Sequence, residues 1–312
     1  MKNCDDSTLF VFTDQALGPW VPLASQKRHI IHCHDFLALQ SASGQIKEKR
    51  TRWSGKVYQQ YIKNGFLQGV NFIAVSNNTS KQLQALHPEL SIKSQVVYNG
   101  LNKDFYRINS QQARTEIEAE TGIEVPDGFI LHVGGNQWYK NRCGVVEIYD
   151  AWRCISKHTL PLLLVGESPC SELSMQIARS SYRNSIHIVS GKGNRFVQAA
   201  YSGALALLFP SIAEGFGWPI VEAMACGCPV ITTGRAPMTE VGGDVAKYIE
   251  PRPIVTQEVP FWAFMAAEIV ESIIQLPEEA KELLKSAGQK HAMNFDIDMA
   301  LNKIESIYLS VN

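Results

Sequence analysis

No apolar run in this sequence approaches the ~18 residues that a helix needs to cross a bilayer, so a membrane-spanning helix is not expected. Residues 1–7 are polar and the apolar stretch 9–12 is too short for the core of a signal peptide, so no secretory leader is expected either. Neither sign of charge is in excess: 29 Lys and Arg face 30 Asp and Glu, a net charge of −1. No global field therefore gathers nucleic acid or an anionic membrane, and a charged partner must be met by a local patch. Cysteine is sparse. Its seven scattered positions (4, 33, 143, 154, 170, 226 and 228) do not make a disulfide framework, and a reducing cytoplasm fits them. Cys226 and Cys228 form C-x-C, but no second Cys or His pair stands at zinc-ligand spacing, so no metal site is expected. Internal repeats and low-complexity segments are also missing. What remains is a folded composition, 45% hydrophobic, 19% charged and 9% aromatic over 312 residues. At roughly 150 residues per domain, that length suggests two domains.

Short β-branched runs alternate with stretches of helical period, an order that predicts an α/β fold with parallel sheets flanked by helices. The second half shows strands at 129–133 (FILHV), 160–165 (LPLLLV), 186–189, 204–209 and 230–232. Helices are expected between them at 142–155, 172–180, 195–202 and 218–226. Continuous apolar strands imply a sheet covered on both faces. The first half is thinner, with strands expected at 9–13, 30–33, 72–75 and 95–98, and the polar stretch 99–114 reads as a linker. Two Rossmann-like domains result. A last helix is expected from Ile297.

The most informative segment is 210–222, Pro-Ser-Ile-Ala-Glu-Gly-Phe-Gly-Trp-Pro-Ile-Val-Glu. It runs from a strand end through a tight loop into a helix. Gly215 and Gly217 permit a sharp turn, and Pro219 suits a first helical turn, where its missing N–H costs nothing. Main-chain amides near Phe216 and Gly217, at the positive end of the helix, then point at the sheet's carboxyl edge, ready for phosphate. Glu214 and Glu222 flank that point and suit neutral hydroxyls, such as those of a sugar, because carboxylates would repel the phosphate itself. Solvated loop and helix charges are the plainer reading of both residues. A second loop, 134–142, follows a strand and opens a helix: Gly134 and Gly135 make the turn, and Lys140 and Arg142 put cations where the helix dipole disfavours them. A bound anion would compensate. The loop is neither a Walker A sequence nor G-x-G-x-x-G. In the first half, Ile-Ile-His32-Cys-His34-Asp35 leaves a strand at the edge where open α/β sheets bind ligands.

Together these pieces resemble glycosyltransferase family 4, whose members are retaining, nucleotide-sugar-dependent enzymes. Glu214 and Glu222 are similar to its E-x7-E motif, with Gly-Phe-Gly between them. The resemblance covers most of the chain from Arg28 onward and includes 71–83 (NFIAVSNNTSKQL), 96–101 and 163–166. It implies the GT-B fold: two Rossmann-like domains facing a cleft, the N-terminal one reduced. The implied boundaries are 1–108 for an acceptor-side domain, 109–293 for a nucleotide-sugar domain, and 294–312 for a closing helix packing back on the first. It also implies residue roles. Glu214 would hold the donor sugar and Glu222 the ribose. Lys140, with Gly134, Gly135, Arg142, Gly215, Phe216 and Gly217, would hold the diphosphate. His34 would serve the reacting face, and Ser190, Gly191 and Lys192 the base. Catalysis would fall to His34, Lys140 and Glu214, with no metal and no cofactor beyond the donor.

Two departures stand out. Gly135 and Asn136 occupy the region where the family usually has an Arg, and His34 lies very near Met1, so the first domain reads as short. The implied function is transfer of a hexosyl-type group to a carbohydrate or lipid-linked acceptor in polysaccharide or glycoconjugate assembly. The alternative is a nucleotide-sugar-binding protein, or one subunit of a two-chain transferase whose partner completes the first domain; a nucleotide-sugar epimerase is a third reading. Lys47, Lys49, Arg50, Arg52 and Lys56, with Trp53 among them, form the one dense basic cluster. It reads either as a solvated helix face or as a site that holds an anionic membrane surface, a peripheral contact at its inner face, or a lipid diphosphate acceptor. A cytoplasmic location is expected, and no nucleic acid. Asp296-Ile-Asp298 matches a metal-binding D-x-D only by coincidence.

Overall fold

The computed structural model describes residues 4–5, 7–86, 88 and 93–311. The chain packs into two compact units. One contains Met1–Gly100, Glu214–Phe216 and Phe295–Asn312, and the other contains Leu101–Ala213 and Gly217–Asn294.

The first unit is built on strands β1 (Phe10–Phe12), β2 (His29–Cys33), β3 (Asn71–Ala74) and β4 (Lys93–Val96). All are parallel and run in the order 1-2-3-4, with Val11 opposite Ile30, Ile31 opposite Phe72, and Ile73 opposite Gln95. Successive right-handed crossovers without a reversal all fall on one face of a sheet. Here they are a 3-10 segment (Gln15–Leu23) and helices α1 (Leu37–Ala42), α2 (Trp53–Phe66) and α3 (Asn77–Leu86). On that face Phe12, Ile31, Cys33 and Phe72 pack with Val21, Phe36, Ile62, Phe66 and Leu83. The alternate residues Val11, Ile30 and Ile73 point the other way. There the helix Ile297–Ser310 covers them with Ala300, Ile304, Ile307 and Tyr308, one stripe at helical spacing. Asp296 starts that helix by accepting from the Met299 amide at 2.9 Å, which gives the D-x-D acid a structural role.

The second unit holds β5 (Ile130–Gly134), β6 (Leu162–Gly166), β7 (Ile186–Ser190), β8 (Ala206–Phe209), β9 (Val230–Thr233) and β10 (Lys247–Ile249). These parallel strands run in the order β10-β9-β8-β5-β6-β7, the doubly wound arrangement with a reversal between β5 and β8. Helices α4 (Ser110–Thr121), α5 (Arg142–Ile155), α6 (Ser171–Arg179), α7 (Asn194–Gly203), α8 (Trp218–Ala225), α9 (Met238–Gly242), α10 (Val259–Ile274) and α11 (Glu278–Ala292) belong to it. Ile297–Ser310 is then α12. Tyr149 and Trp152 of α5 pack with Trp262, Ala266 and Val270 of α10 in a core of this unit. The sequence reading placed 110–114 in a linker; these residues instead begin α4, because Asn109 caps it by accepting from the Gln111 and Gln112 amides at 3.0 and 3.1 Å. No single helix among the described residues is long and apolar enough to cross a membrane.

Gly65 of α2 lies against the Gly18 carbonyl of the 3-10 segment, and a Cβ at Gly65 would stand 2.1 Å from that oxygen. Alanine normally favours a helix, but here the backbone must shift to admit it. Gly65→Ala is expected to destabilise the protein by roughly 1–3 kcal/mol in chemical denaturation, opposite in sign to its helix propensity.

Candidate functional site

In an open parallel sheet, ligands bind at the carboxyl ends of strands where the order reverses. That point in the second unit lies between β5 and β8. Their ladder is short, pairing only Ile130 with Ala206 and Leu131 with Leu207, whereas β5 and β6 pair over five residues. Beyond it, the His132 side chain takes over: its Nδ1 lies 2.9 Å from the Leu208 carbonyl, so Nδ1 carries the proton and donates. Burial, with the Arg142 and Lys140 charges adding to it, lowers the His132 pKa to about 3, so the ring is neutral. It stacks on Phe209, with ring centres 6.1 Å apart.

The 134–142 loop rises directly above. A Cβ on Gly134 would lie 3.0 Å from His132 Nε2, which explains glycine there. The Lys140 ammonium lies 5.0 Å from the Phe209 ring centre and 5.5 Å from that of Tyr139. Asn141 adopts the left-handed conformation (φ 52°), caps α5 by accepting from the Gly144 amide, and donates to the Pro210 carbonyl at 3.0 Å. The Ile212 amide donates to the Tyr139 carbonyl at 2.8 Å. These two bonds join the loop after β5 to the loop after β8. Arg142 is buried, and its guanidinium braces the turn by donating to Asn136 Oδ1 (2.7 Å) and to the Glu167 carbonyl (2.9 Å). The Glu167 carboxylate accepts from the Asn136 amide, so an acid holds the stretch where the family carries its Arg.

Past β8, Gly217 turns with φ 103°, and α8 starts with no side-chain cap and with Pro219 in its first turn. Glu222, one turn on, accepts from the Tyr201 hydroxyl at 2.9 Å. Burial raises its carboxyl above the usual range, while the Tyr201 bond and the Lys140 charge pull it back. At the end of β7, Gly191 has φ 72°, and Lys192 is engaged by the Glu120 carboxylate at 2.8 Å. Among the described residues, the buried side-chain polar atoms without a partner are His132 Nε2, Arg142 Nε and Nη2, and Ser211 Oγ. All belong to the β5 and β8 strand ends and their loops. Groups of this kind in a folded protein mark a place for water or ligand.

In the first unit, His34 donates through Nε2 to the Thr13 carbonyl at 2.8 Å, and its amide donates to Gln15 Oε1 at 2.9 Å. His32 pairs instead with the Tyr308 hydroxyl at 2.7 Å, so the two histidines are spent separately. Gly215 packs against His34: a Cβ there would stand 2.2 Å from the His34 carbonyl oxygen. Ser76 Oγ fixes it by donating to the Gly215 carbonyl at 3.0 Å. Glu214 is only 7% exposed, which removes the reading of a solvated loop charge. The first unit thus brings His34 together with the loop that carries Glu214, and the second brings Lys140 together with Glu222.

This fold defines a protein of the GT-B class. Solved structures with the same fold include Anabaena HepE in complex with UDP and glucose (TM-score 0.74, 18% identity, 97% of this chain and 78% of that one). WaaG, a glycosyltransferase involved in lipopolysaccharide biosynthesis, is another (TM-score 0.70, 17% identity, 90% of this chain and 75% of that one). Residues 128–255 match the family model of glycosyl transferases group 1, and the paired glutamates of the 210–222 segment lie within that stretch. Curated relatives include O-antigen chain mannosyltransferase B of Escherichia coli, 28% identical over 41% of this chain and 34% of that protein. Another is N-acetyl-alpha-D-glucosaminyl L-malate synthase of Bacillus anthracis, 27% identical over 58% of this chain and 45% of that protein. The chain thus spans less than half the length of either.

A buried carboxyl with a raised pKa binds its proton more tightly folded than unfolded, so its ionisation costs stability as pH rises from the free value of ~4.3 through the folded one. Glu222→Gln keeps an acceptor for Tyr201 and removes that cost. The variant is expected to melt at higher temperature than wild type at pH 7, with the gap closing toward pH 4, as read by scanning calorimetry.

Proposed function

We propose that this protein is a retaining glycosyltransferase that moves a hexosyl-type group from a nucleotide-diphosphate sugar to an acceptor hydroxyl in glycoconjugate assembly. The observation that carries the reading is the β5/β8 strand reversal, where Lys140 and the uncapped start of α8 stand beside buried polar atoms that lack partners. That combination suits an anion larger than a single water. Breaking a glycosyl–diphosphate bond leaves negative charge on the phosphate, and fixed positive groups aimed at it lower the barrier. The Lys140 ammonium and the α8 amides supply that charge without calling on a metal.

In this reading Glu214 grips the sugar hydroxyls and Glu222, already oriented by Tyr201, takes the ribose. The backbone of Ser190 and Gly191 faces the base, because the Lys192 ammonium is committed to Glu120. Gly134, Gly135 and Arg142 shape the phosphate turn. His34, its ring fixed by Thr13, serves the reacting face. The acceptor hydroxyl attacks from the side that the diphosphate leaves, and the leaving phosphate takes its proton; Glu214 positions and forms no bond. Names of relatives support the substrate class: one is an O-antigen chain mannosyltransferase, and HepE was solved with UDP and glucose. The acceptor is then a carbohydrate or a lipid-linked saccharide, met in the cytoplasm.

A second reading is favoured by the four-stranded first sheet, smaller than the six-stranded second: a nucleotide-sugar-binding subunit that turns over only with a partner chain. Both are tested by assaying hydrolysis and transfer over a panel of nucleotide sugars, with calorimetry of donor binding alongside. Lys140→Ala and Glu214→Ala are expected to lower kcat/KM at least ~100-fold. Turnover equal to wild type in both variants would sink the mechanism, and tight donor binding with no turnover until a partner is added would select the second reading.

A further inference from the structure

We propose that the outer face of the first unit formed by α2 and the 3-10 segment is a docking surface for an anionic lipid bilayer. Helix α2 turns Ile62, Gly65 and Phe66 inward. Its other side is not the polar surface that a helix packed on a sheet usually presents. Trp53, Val57 and Tyr61 recur every fourth residue, forming one outward stripe, and are 79%, 51% and 60% exposed. Tyr58 beside them is 58% exposed. The 3-10 segment, joined to α2 through Gly18 and Gly65, exposes Trp20 and Leu23. Core packing accounts for none of these side chains, and apolar surface of this extent marks an interaction site.

Charge selects the partner. Between residues 47 and 63, Lys47, Lys49, Arg50, Arg52, Lys56 and Lys63 are met by one carboxylate, Glu48, in a chain whose net charge is −1. Among the described residues, none of Lys47, Lys49, Arg50, Arg52 and Lys56 has an ion-pair partner. The cationic stretch is also held in place: Ser41 Oγ donates to the Lys49 carbonyl at 2.9 Å and shares a hydrogen bond with Thr51 Oγ1 at 2.7 Å. Of the exposed large apolar side chains of α2, Trp53, Tyr58 and Tyr61 are aromatic rings that carry a polar tip. Such residues settle at headgroup level, where apolar bodies leave water while polar ends and flanking cations stay with phosphate. An aromatic stripe edged by Lys and Arg is the arrangement of a helix lying in a membrane interface.

The test is flotation of the full chain with vesicles, without any sugar donor, so its outcome is separate from that of the transferase reading. The protein is expected to float with phosphatidylcholine vesicles containing phosphatidylglycerol, to stay behind with phosphatidylcholine alone, and to be released by salt. Replacing Arg50, Arg52 and Lys56 by Gln together should weaken partition roughly 100-fold, at about fivefold per charge. Trp53→Ser with Tyr61→Ser should weaken it by tenfold or more with all charges kept. Because these positions are exposed, melting temperatures should match wild type. No flotation of the wild type at low salt, equal binding to both vesicle types, or undiminished binding by both variants would overturn the proposal. So would self-association in solution that the α2 variants abolish, which would give the face to a second copy of the chain.

Discussion

A reversal of strand order in an all-parallel sheet forces a gap. Right-handed crossovers from β5 and from β8 leave toward opposite faces, so no helix covers the carboxyl ends of those two strands. The rest of the second unit follows from that constraint. The short β5–β8 ladder leaves a backbone carbonyl, Leu208, to be satisfied by a side chain, and His132 does so at the cost of an imidazole held neutral in the core. The two loops must bridge the gap themselves, which they do through Asn141 and Tyr139. The left-handed turn at Asn141 is what lets one residue both cap α5 and reach across to Pro210. Lys140 is thereby fixed over an aromatic floor rather than waving in solvent.

Much of this was legible in the residues. Strands buried on both faces are apolar almost throughout, so β6 and β8 stand out as unbroken runs, and the Gly215 and Gly217 turn announces itself because few side chains tolerate such backbone. The paired glutamates and Lys140 drew notice by their spacing next to those turns. What spacing could not reveal depends on neighbours remote in sequence. His132 looks like an odd residue inside a strand until β8 is placed beside it. Arg142 resembles a surface cation at a helix start, yet the Glu167 carbonyl and Asn136 draw it inward. Glu214–Phe216 sits between two elements of the second unit and packs with the first, held there by Ser76. Helices α10 and α11 were missed because no strand separates them, which breaks the alternation that identified α5 to α8.

The two sheets solve the same problem differently. In the second unit, reversal distributes helices over both faces. In the first, sequential order puts every crossover on one face and leaves the other bare, with Val11, Ile30 and Ile73 in need of cover. Helix α12 supplies it, through Ile304, Ile307 and Tyr308.

That borrowed cover has a bearing on how the protein comes to be made. Residues 297–311 emerge from the ribosome after every strand and helix of the second unit, so the first unit keeps an open apolar sheet face until the second has been synthesised. The younger half can close its own core first. During that interval the nascent chain exposes the Ile30–Ile73–Val97 surface to whatever chaperones the cell provides, and slowing translation of the second unit would prolong the exposure.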